Sequence, residues 1–401
     1  MFYGGARPAR VAANQSGLEI RATSFAFPIP ESGRLRTVAT ADFFRDGCLI
    51  GNGSIAAGGR GFDRRIGRQS GLAYHSKFGS HGPMLNPATM PFKENLSEAA
   101  RLPALPGFSV LAVEGASAES FLQAQTMNDV RALATGRWHW NGWLNPKGRL
   151  IALFALARIA EDRFLLVLPD YPASELLPLL QRFVFRSKVH LRVCDDLVCA
   201  GEFGVGPSSG APSDQIVGTS EGGLALDCSG TQVDRRLWLL PATSSALATP
   251  DSDMDASWRE LDLKHGLPRL PDSQREAWTP QMLGLERLNA FSLKKGCYPG
   301  QEIVARTHYL GQAKRGLRLL RGAGLSSSDA VVDAEGASIG SIICSTTDQL
   351  MALAVCNRDA EGSGLRVADR PVELLPLLPG LARPLVSELT VPGSQIPKTG
   401  A

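Results

Sequence analysis

The strongest constraint on the fold is a hairpin written into residues 137–158. Two strand-like runs, RWHWNGWL (137–144) and LIALFALAR (150–158), flank Asn145-Pro146-Lys147-Gly148. Asn at the first, Pro at the second and Gly at the fourth position are the preferences of a type I turn, so the two runs pair as an antiparallel ribbon. FLLVL (164–168) reads as a third strand and VHLRV (189–193) as a further one. SAESFLQAQTMNDVRAL (117–133) is a Ser-capped amphipathic segment, and PASELLPLLQRFV (172–184) carries apolar residues at i, i+3 and i+4, which predicts a helix. Strands and helices mix without strict βαβ alternation, which makes the fold class α+β. Beyond residue 316 the texture turns to short strands and turns (GLRLL, VVDAEGASIGSII, MALAVC, VELLPLL), the pattern of a small β-barrel or sandwich.

Composition removes several alternatives. The longest apolar candidate, LIALFALARIAEDRFLLVL, is broken by Arg158, Glu161, Asp162 and Arg163, so no spanning helix is expected. The net charge of +3 invites a polyanionic partner, but it is unevenly placed. Residues 1–90 hold eleven Lys and Arg against five Asp and Glu, leaving 31 against 34, or −3, for residues 91–401. That first segment also holds 14 of the 42 glycines and no sustained periodicity, so weak order is expected in it. It reads as a disordered tail, a targeting segment, or upstream sequence with Met84 or Met90 as the true start, the last being favoured. Seven scattered cysteines without a CxxC pair indicate a reduced, cytoplasm-like compartment, with the mitochondrial matrix as the alternative if the Arg-containing leader is a transit segment. GVGPSSGAPSDQ (204–215) and ATSSALATPDSDMD (242–255) are linker compositions, and residues 391–401 a tail.

Most familiar chemical signals are missing. GNGSIAAGG (51–59) does not give GxGxxG in register, and no GxxxxGK[ST] occurs. GTSEG (218–222) matches a nucleophile elbow by letter only, without the strand and oxyanion segment that elbow needs. The histidines form no HxxxH or HExxH pair, and Cys194 and Cys199 suit no common site, so no metal site is expected. Three stretches remain. KKGCYPGQEIVARTHYLG (294–311) places Cys297 on a glycine-flanked turn, where Lys294 and Lys295 would favour a thiolate; a structural turn cysteine is the competing reading. Trp138, Trp140 and Trp143 cannot all face one side of a flat strand, so at least one should reach a pocket and stack on a heterocycle, unless all pack the core. Phe183-Val184-Phe185-Arg186-Ser187-Lys188 ends a helix with two cations, able to hold an anionic tail or simply to complement the helix dipole.

KGCYPGQE (295–302), with the following Ala305-Arg306 and the preceding TPQMLGLERLNAFSL, resembles the signature of the YgfZ-type folate-binding proteins, which are related in fold to the T-protein (aminomethyltransferase) of glycine cleavage. Weaker agreement runs through FLQAQTMNDV, NPKGRLIALF, RFVFRSKV and HGLPRLP, so the resemblance covers roughly 100–390 and not the leader. It implies a three-domain, T-protein-like ring arrangement with a C-terminal β-barrel: a first α+β folate-binding-like domain over 100–200, a second segment over 201–315 that carries the motif, and the barrel over 316–390. It also implies tetrahydrofolate, or a derivative, as cofactor, and a role in iron–sulfur cluster assembly or repair and thereby in tRNA modification. Iron–sulfur enzymes or assembly proteins would be the partners, with neither a membrane nor direct nucleic-acid contact. By position, Cys297 carries over as the functional thiol, and Lys295, Gly296, Tyr298, Gly300, Gln301, Glu302 and Arg306 as the family motif. Asn128, Asp129, Lys147 and Arg186 carry over as folate contacts, with Trp143 beside them.

The chain departs from the T-protein at its chemistry. Where that family has a Lys-Gly-Gly-Ile-x-Asp-Asp stretch, this sequence has Ala152 and Leu153 in place of both carboxylates, and neither can exchange a proton. The Arg-x-Glu-x-Gly stretch corresponds to Asp262-Leu263-Lys264-His265-Gly266, so the pterin contact is also altered. Aminomethyl transfer is therefore disfavoured. A folate-dependent maintenance factor and a non-catalytic folate sensor or partner-binding module remain.

Overall fold

The computed structural model describes residues 101–204, 213–219, 222–309, 311, 313–359 and 364–383, together with the backbone of four strands within residues 9–56. Those strands, β1 (Ala9–Arg10), β2 (Leu18–Pro28), β3 (Leu35–Arg45) and β4 (Cys48–Ala56), pair in sequence order as an antiparallel meander, and they are the described part of the segment for which weak order is expected. They belong to a unit separate from the rest of the chain. Met84, Met90, linker residues 205–212, Ser220 and Glu221 of GTSEG, and residues 391–401 lie outside the described residues.

The main unit begins with β5 (Leu102–Pro103), β6 (Phe108–Glu114) and α1 (Ala118–Gln125). The hairpin follows as β7 (Arg137–Leu144) and β8 (Leu150–Ala160), then β9 (Arg163–Pro169), α2 (Ala173–Gln181) and β10 (His190–Val193). The first sheet has the order β10-β6-β9-β8-β7 and is antiparallel throughout. Both of its faces are buried, which is why LIALFALA and FLLVL read as continuous apolar runs rather than alternating ones. Phe154, Leu156, Leu166 and Trp143 pack under Phe121 and Leu122 of α1 and Leu176 and Leu180 of α2. Trp138, Trp140, Leu153 and Ala155 face the other way, into the larger core.

The second sheet, β11 (Leu197–Phe203), β12 (Ile216–Gly218), β13 (Leu224–Asp227) and β14 (Arg235–Pro241), has the order β11-β14-β13-β12. Its connection onward differs from the expected linker at 242–255. Leu247–Ala248 forms β15, paired in parallel with β5, and α3 (Ser252–Lys264) starts inside the stretch. The reason is Asp251, whose carboxylate accepts the free N–H groups of Asp253 and Met254 at 2.8 and 3.1 Å and so caps the helix. After α4 (Gln301–Tyr309), strands β16 (Arg315–Arg321), β17 (Ala330–Val332), β18 (Ser338–Ser345), β19 (Met351–Asn357), β20 (Arg366–Val367), β21 (Arg370–Pro371) and β22 (Glu373–Leu375) form a seven-stranded, barrel-like sheet. The larger core is shared by the first sheet, by Leu226, Leu237 and Leu239 of the second, and by Leu317, Ile343 and Leu353 of the barrel.

A ladder of ion pairs, buried at Asp262 and half-buried at Asp170, ties these parts together. Arg235 donates to Asp262 at 2.6 Å, Arg269 bridges Asp262 at 2.6 Å and Asp170 at 3.1 Å, and Arg259 closes on Asp170 at 2.6 Å. Asp262, which stands where the Arg-x-Glu-x-Gly stretch has its arginine, is thus fully engaged between two arginines. Among the described residues no helix is long and apolar enough to cross a membrane.

Candidate functional site

Two glycines bring the hairpin turn and the KGCYPGQE loop together. Within the turn, Asn145 Oδ1 accepts the N–H groups of Lys147 and Arg149 at 2.9 and 3.0 Å, and the Gly148 N–H donates back to Asn145 O at 2.9 Å. Gly148 adopts φ +68° and Gly300 φ +79°, a region that costs residues with a Cβ. A Cβ on Gly300 would lie 2.6 Å from Asn145 O and 2.7 Å from Gly148 Cα, so the two backbones touch directly. Gly300 also opens α4, since its carbonyl accepts from Ile303 and Val304. Gln301 Nε2 reaches back to Lys295 O at 3.1 Å and closes the loop on itself.

The loop's other end is fixed by Lys295, which the sequence reading places beside the thiol. The structure corrects this. Lys295 is 5% exposed, and its ammonium donates inward to the carbonyls of Thr126 and Asn128, the latter at 3.0 Å, while lying 4.9 Å from the centre of the Tyr298 ring. Burial pulls Lys295 down to about 7, opposed by the Asp129 carboxylate and reinforced by Arg131. Of the two lysines expected to favour a thiolate, only Lys294 is exposed beside Cys297. Tyr298 is buried, its hydroxyl has no partner among the described residues, and burial pushes it up to about 12.

The carbonyls that hold Lys295 belong to a turn that the sequence pattern extends as helix to Leu133. Side-chain amides stop α1 early by offering the backbone other partners. Asn128 Oδ1 accepts the Asp129 N–H at 2.9 Å, Gln123 Oε1 accepts the Val130 N–H at 2.8 Å, and Thr126 is extended. Asn128 was expected to contact a ligand, but its side chain is used internally: Nδ2 donates to Trp140 O at 2.9 Å and to Asn289 O at 2.7 Å. Asp129 is partly exposed, with Oδ1 accepting from Gln123 Nε2 at 3.1 Å.

Residues beneath this turn were missed by sequence reasoning. Asn141 Oδ1 accepts the Asn128 N–H at 2.9 Å, and Asn141 Nδ2 meets Thr126 Oγ1 at 3.1 Å and His139 Nε2 at 3.3 Å. Burial, with the Lys295 charge adding to it, brings His139 down to about 3, so the imidazole is neutral. The readable signal was period 2: His139, Asn141 and Trp143 share one face of β7, opposite Trp138 and Trp140. Trp143 is buried, pairs with Thr126 across an isolated bridge, and its indole N–H lacks a partner among the described residues. The edge of its ring system meets Phe183 with centroids 5.9 Å apart.

The remaining expected residues lie outward. Lys147 is exposed at the hairpin tip, and Arg186, at φ +52°, is exposed with its guanidinium 5.0 Å from the Phe185 ring. Gly296 is exposed beside Cys297, and Glu302 and Arg306 are exposed on α4. Cys297 is exposed, whereas Cys194, Cys199, Cys228, Cys344 and Cys356 are buried. Burial raises those five thiols to about 11 or 12, which keeps them protonated and inert. Ala152 and Leu153 are buried in β8, on opposite faces, and bring no titratable group to the site. No group of three or more His, Cys, Asp or Glu side chains among the described residues is arranged to hold a metal ion.

No protein-family model matches the chain. It is 32% identical over 225 residues to the tRNA-modifying protein YgfZ of Aliivibrio fischeri (strain MJ11), covering 54% of this chain and 69% of that protein. It is 30% identical over 228 residues to the tRNA-modifying protein YgfZ of Vibrio vulnificus (strain CMCP6), with the same coverage of 54% and 69%. Among solved structures, the glycine cleavage system aminomethyltransferase T from Bartonella henselae superposes with a TM-score of 0.53 at 16% identity, over 72% of this chain and 91% of that one. That likeness shows an aminomethyltransferase-like fold. Together with the KGCYPGQE loop and its seat on the hairpin turn, the sequence matches establish that the chain belongs to the YgfZ family of tRNA-modifying proteins.

Proposed function

We propose that this protein binds tetrahydrofolate or a derivative beside the hairpin turn and acts in iron–sulfur cluster assembly or repair, and through it in tRNA modification, with Cys297 as its functional thiol. The observation that carries the thiol reading is that Cys297 is exposed on a loop fixed at both ends, while the five other cysteines with described side chains are buried. A nucleophile must be accessible and held in place, and a structural cysteine needs neither.

The residues present fit a folate. The buried, unpartnered Trp143 indole N–H is a donor awaiting an acceptor. Asp129 is a partly exposed carboxylate able to accept from a pterin edge, and Lys147 and Arg186 are exposed cations suited to a carboxylate tail. When bound, the folate supplies a one-carbon carrier nitrogen. The chain's own residues would orient it, and with Ala152 and Leu153 where the T-protein has carboxylates they provide no side-chain proton transfer there.

A second reading, a non-catalytic folate sensor or partner-binding module, is favoured by the exposure of Glu302, Arg306, His308 and Tyr309 on α4 next to the loop. Complementation that survives Cys297→Ser but fails with Glu302→Lys supports it. The folate assignment is tested by titrating the purified chain with tetrahydrofolate while following Trp fluorescence. A saturable change that shrinks in Trp143→Phe supports the site, and a flat titration of the wild-type chain refutes it.

A further inference from the structure

Loop 294–300 has two attachments, one on each side of Cys297. At its C-terminal end Gly300 rests on Gly148. At its N-terminal end Lys295 donates to the carbonyls of Thr126 and Asn128 and lies against the Tyr298 ring. The turn that supplies those carbonyls is itself anchored by Asn141 and, through Asn128 Nδ2, by Asn289 O. A cation favours a neighbouring thiolate most when it lies close to the sulfur and is not already compensated by other partners. Here the ammonium is committed to two carbonyl dipoles and an aromatic face, all on the interior side of the loop.

We propose that Lys295 is a positioning residue that governs Cys297 by docking the loop onto the Thr126–Asn128 turn, not by lending its charge to the thiol. Burial makes the charge costly at this position, and the neutral amine still has two N–H groups to donate to the two carbonyls. The groups facing the ammonium are Asp129 and Arg131 from the turn, His139 from β7 and Tyr298 from the loop. His139 is already neutral and Tyr298 stays protonated, so among the described residues Asp129 is the one facing anion that opposes deprotonation. With burial holding Lys295 at about 7 in the docked loop, against 10.5 in water, protonation favours the released loop, so docking tightens as pH rises above about 7. The inference refines the functional-thiol reading, and its readout is chemical reactivity, so its failure and the failure of folate binding are separate results.

The test is the pH profile of Cys297 alkylation by iodoacetamide, a neutral reagent, in the full chain, resolved by peptide mass spectrometry. In the wild type, the rate per thiolate should step downward as pH passes about 7. Lys295→Met should remove the step and speed alkylation by about three- to tenfold at pH 8.5, the size expected from losing two buried hydrogen bonds. Asp129→Asn, which withdraws the opposing carboxylate, should shift the step to lower pH. Slower alkylation in Lys295→Met would mean that the lysine activates the thiol, and a profile superimposable on the wild type would mean that it does neither; either overturns the proposal. If Lys295→Met does not fold, Asp129→Asn decides alone, and an unmoved step overturns the proposal.

Discussion

The contact between Gly300 and Gly148 is the most exacting feature of the site, and Gly300→Ala probes it. Two costs add. At φ +79° an alanine pays about 1–2 kcal/mol for the left-handed conformation. Its methyl would also sit 2.6 Å from Asn145 O and 2.7 Å from Gly148 Cα, backbone atoms that cannot swing aside, so overpacking adds about 1–3 kcal/mol. A total near 3 kcal/mol, divided by an unfolding entropy of about 2.1 cal/mol/K per residue over a unit of roughly 280 residues, lowers Tm by about 5 °C. Gly148→Ala should also cost stability, because its methyl would sit 2.8 Å from Ile303 Cβ, an atom fixed to the α4 backbone, and 3.2 Å from Gly300 O. The assay is thermal unfolding followed by Trp fluorescence, with Cys297 alkylation measured on the same samples. Gly300→Ala should lose stability and expose the thiol loop together. A Tm within about 1 °C of wild type and an unchanged alkylation rate would show that the two turns are not packed as described.

Asp262→Ala would leave Arg235 and Arg269 buried without their shared carboxylate and should destabilise by about 3–5 kcal/mol, read from urea midpoints; a change under about 1 kcal/mol would remove the ladder's structural role. Stability should also rise with pH from 7 to about 8. Lys295 is lowered from 10.5 to about 7 on folding, so the unfolded chain binds the extra proton in that window, at up to about 1.4 kcal/mol per pH unit. Lys295→Met should flatten this slope. Above about pH 8.5 the sign reverses, because the five thiols raised to about 11 or 12 in the fold ionise first in the unfolded chain. His139, lowered to about 3 from 6.5, should make stability fall as pH drops from 6.5 toward 3, and His139→Gln should weaken that loss on acid titration.

What could be read in advance was what local patterns encode. The Asn-Pro-Lys-Gly turn and its flanking apolar runs became the antiparallel pair β7 and β8, with one register shift at Trp143–Leu144, and the short strands after residue 316 became the barrel-like sheet. The division of Trp138 and Trp140 from Trp143 followed from strand periodicity. What could not be read were partners chosen across long separations. Lys295 looked like a neighbour of Cys297 because sequence records adjacency, whereas its acceptors lie 169 and 167 residues away. The early end of α1 depended on Asn128 finding Asn289 and on Asn141 finding Asn128, contacts with no periodic trace. The ion ladder draws on Asp170, Arg235, Arg259, Asp262 and Arg269, none of which stands out locally.

The most direct test of the account is rescue of iron–sulfur enzyme activity in cells lacking their own family member. The chain carrying Cys297→Ala should fail to restore that activity while the purified variant binds tetrahydrofolate like the wild type. Full rescue by Cys297→Ala would contradict the functional role given to the thiol.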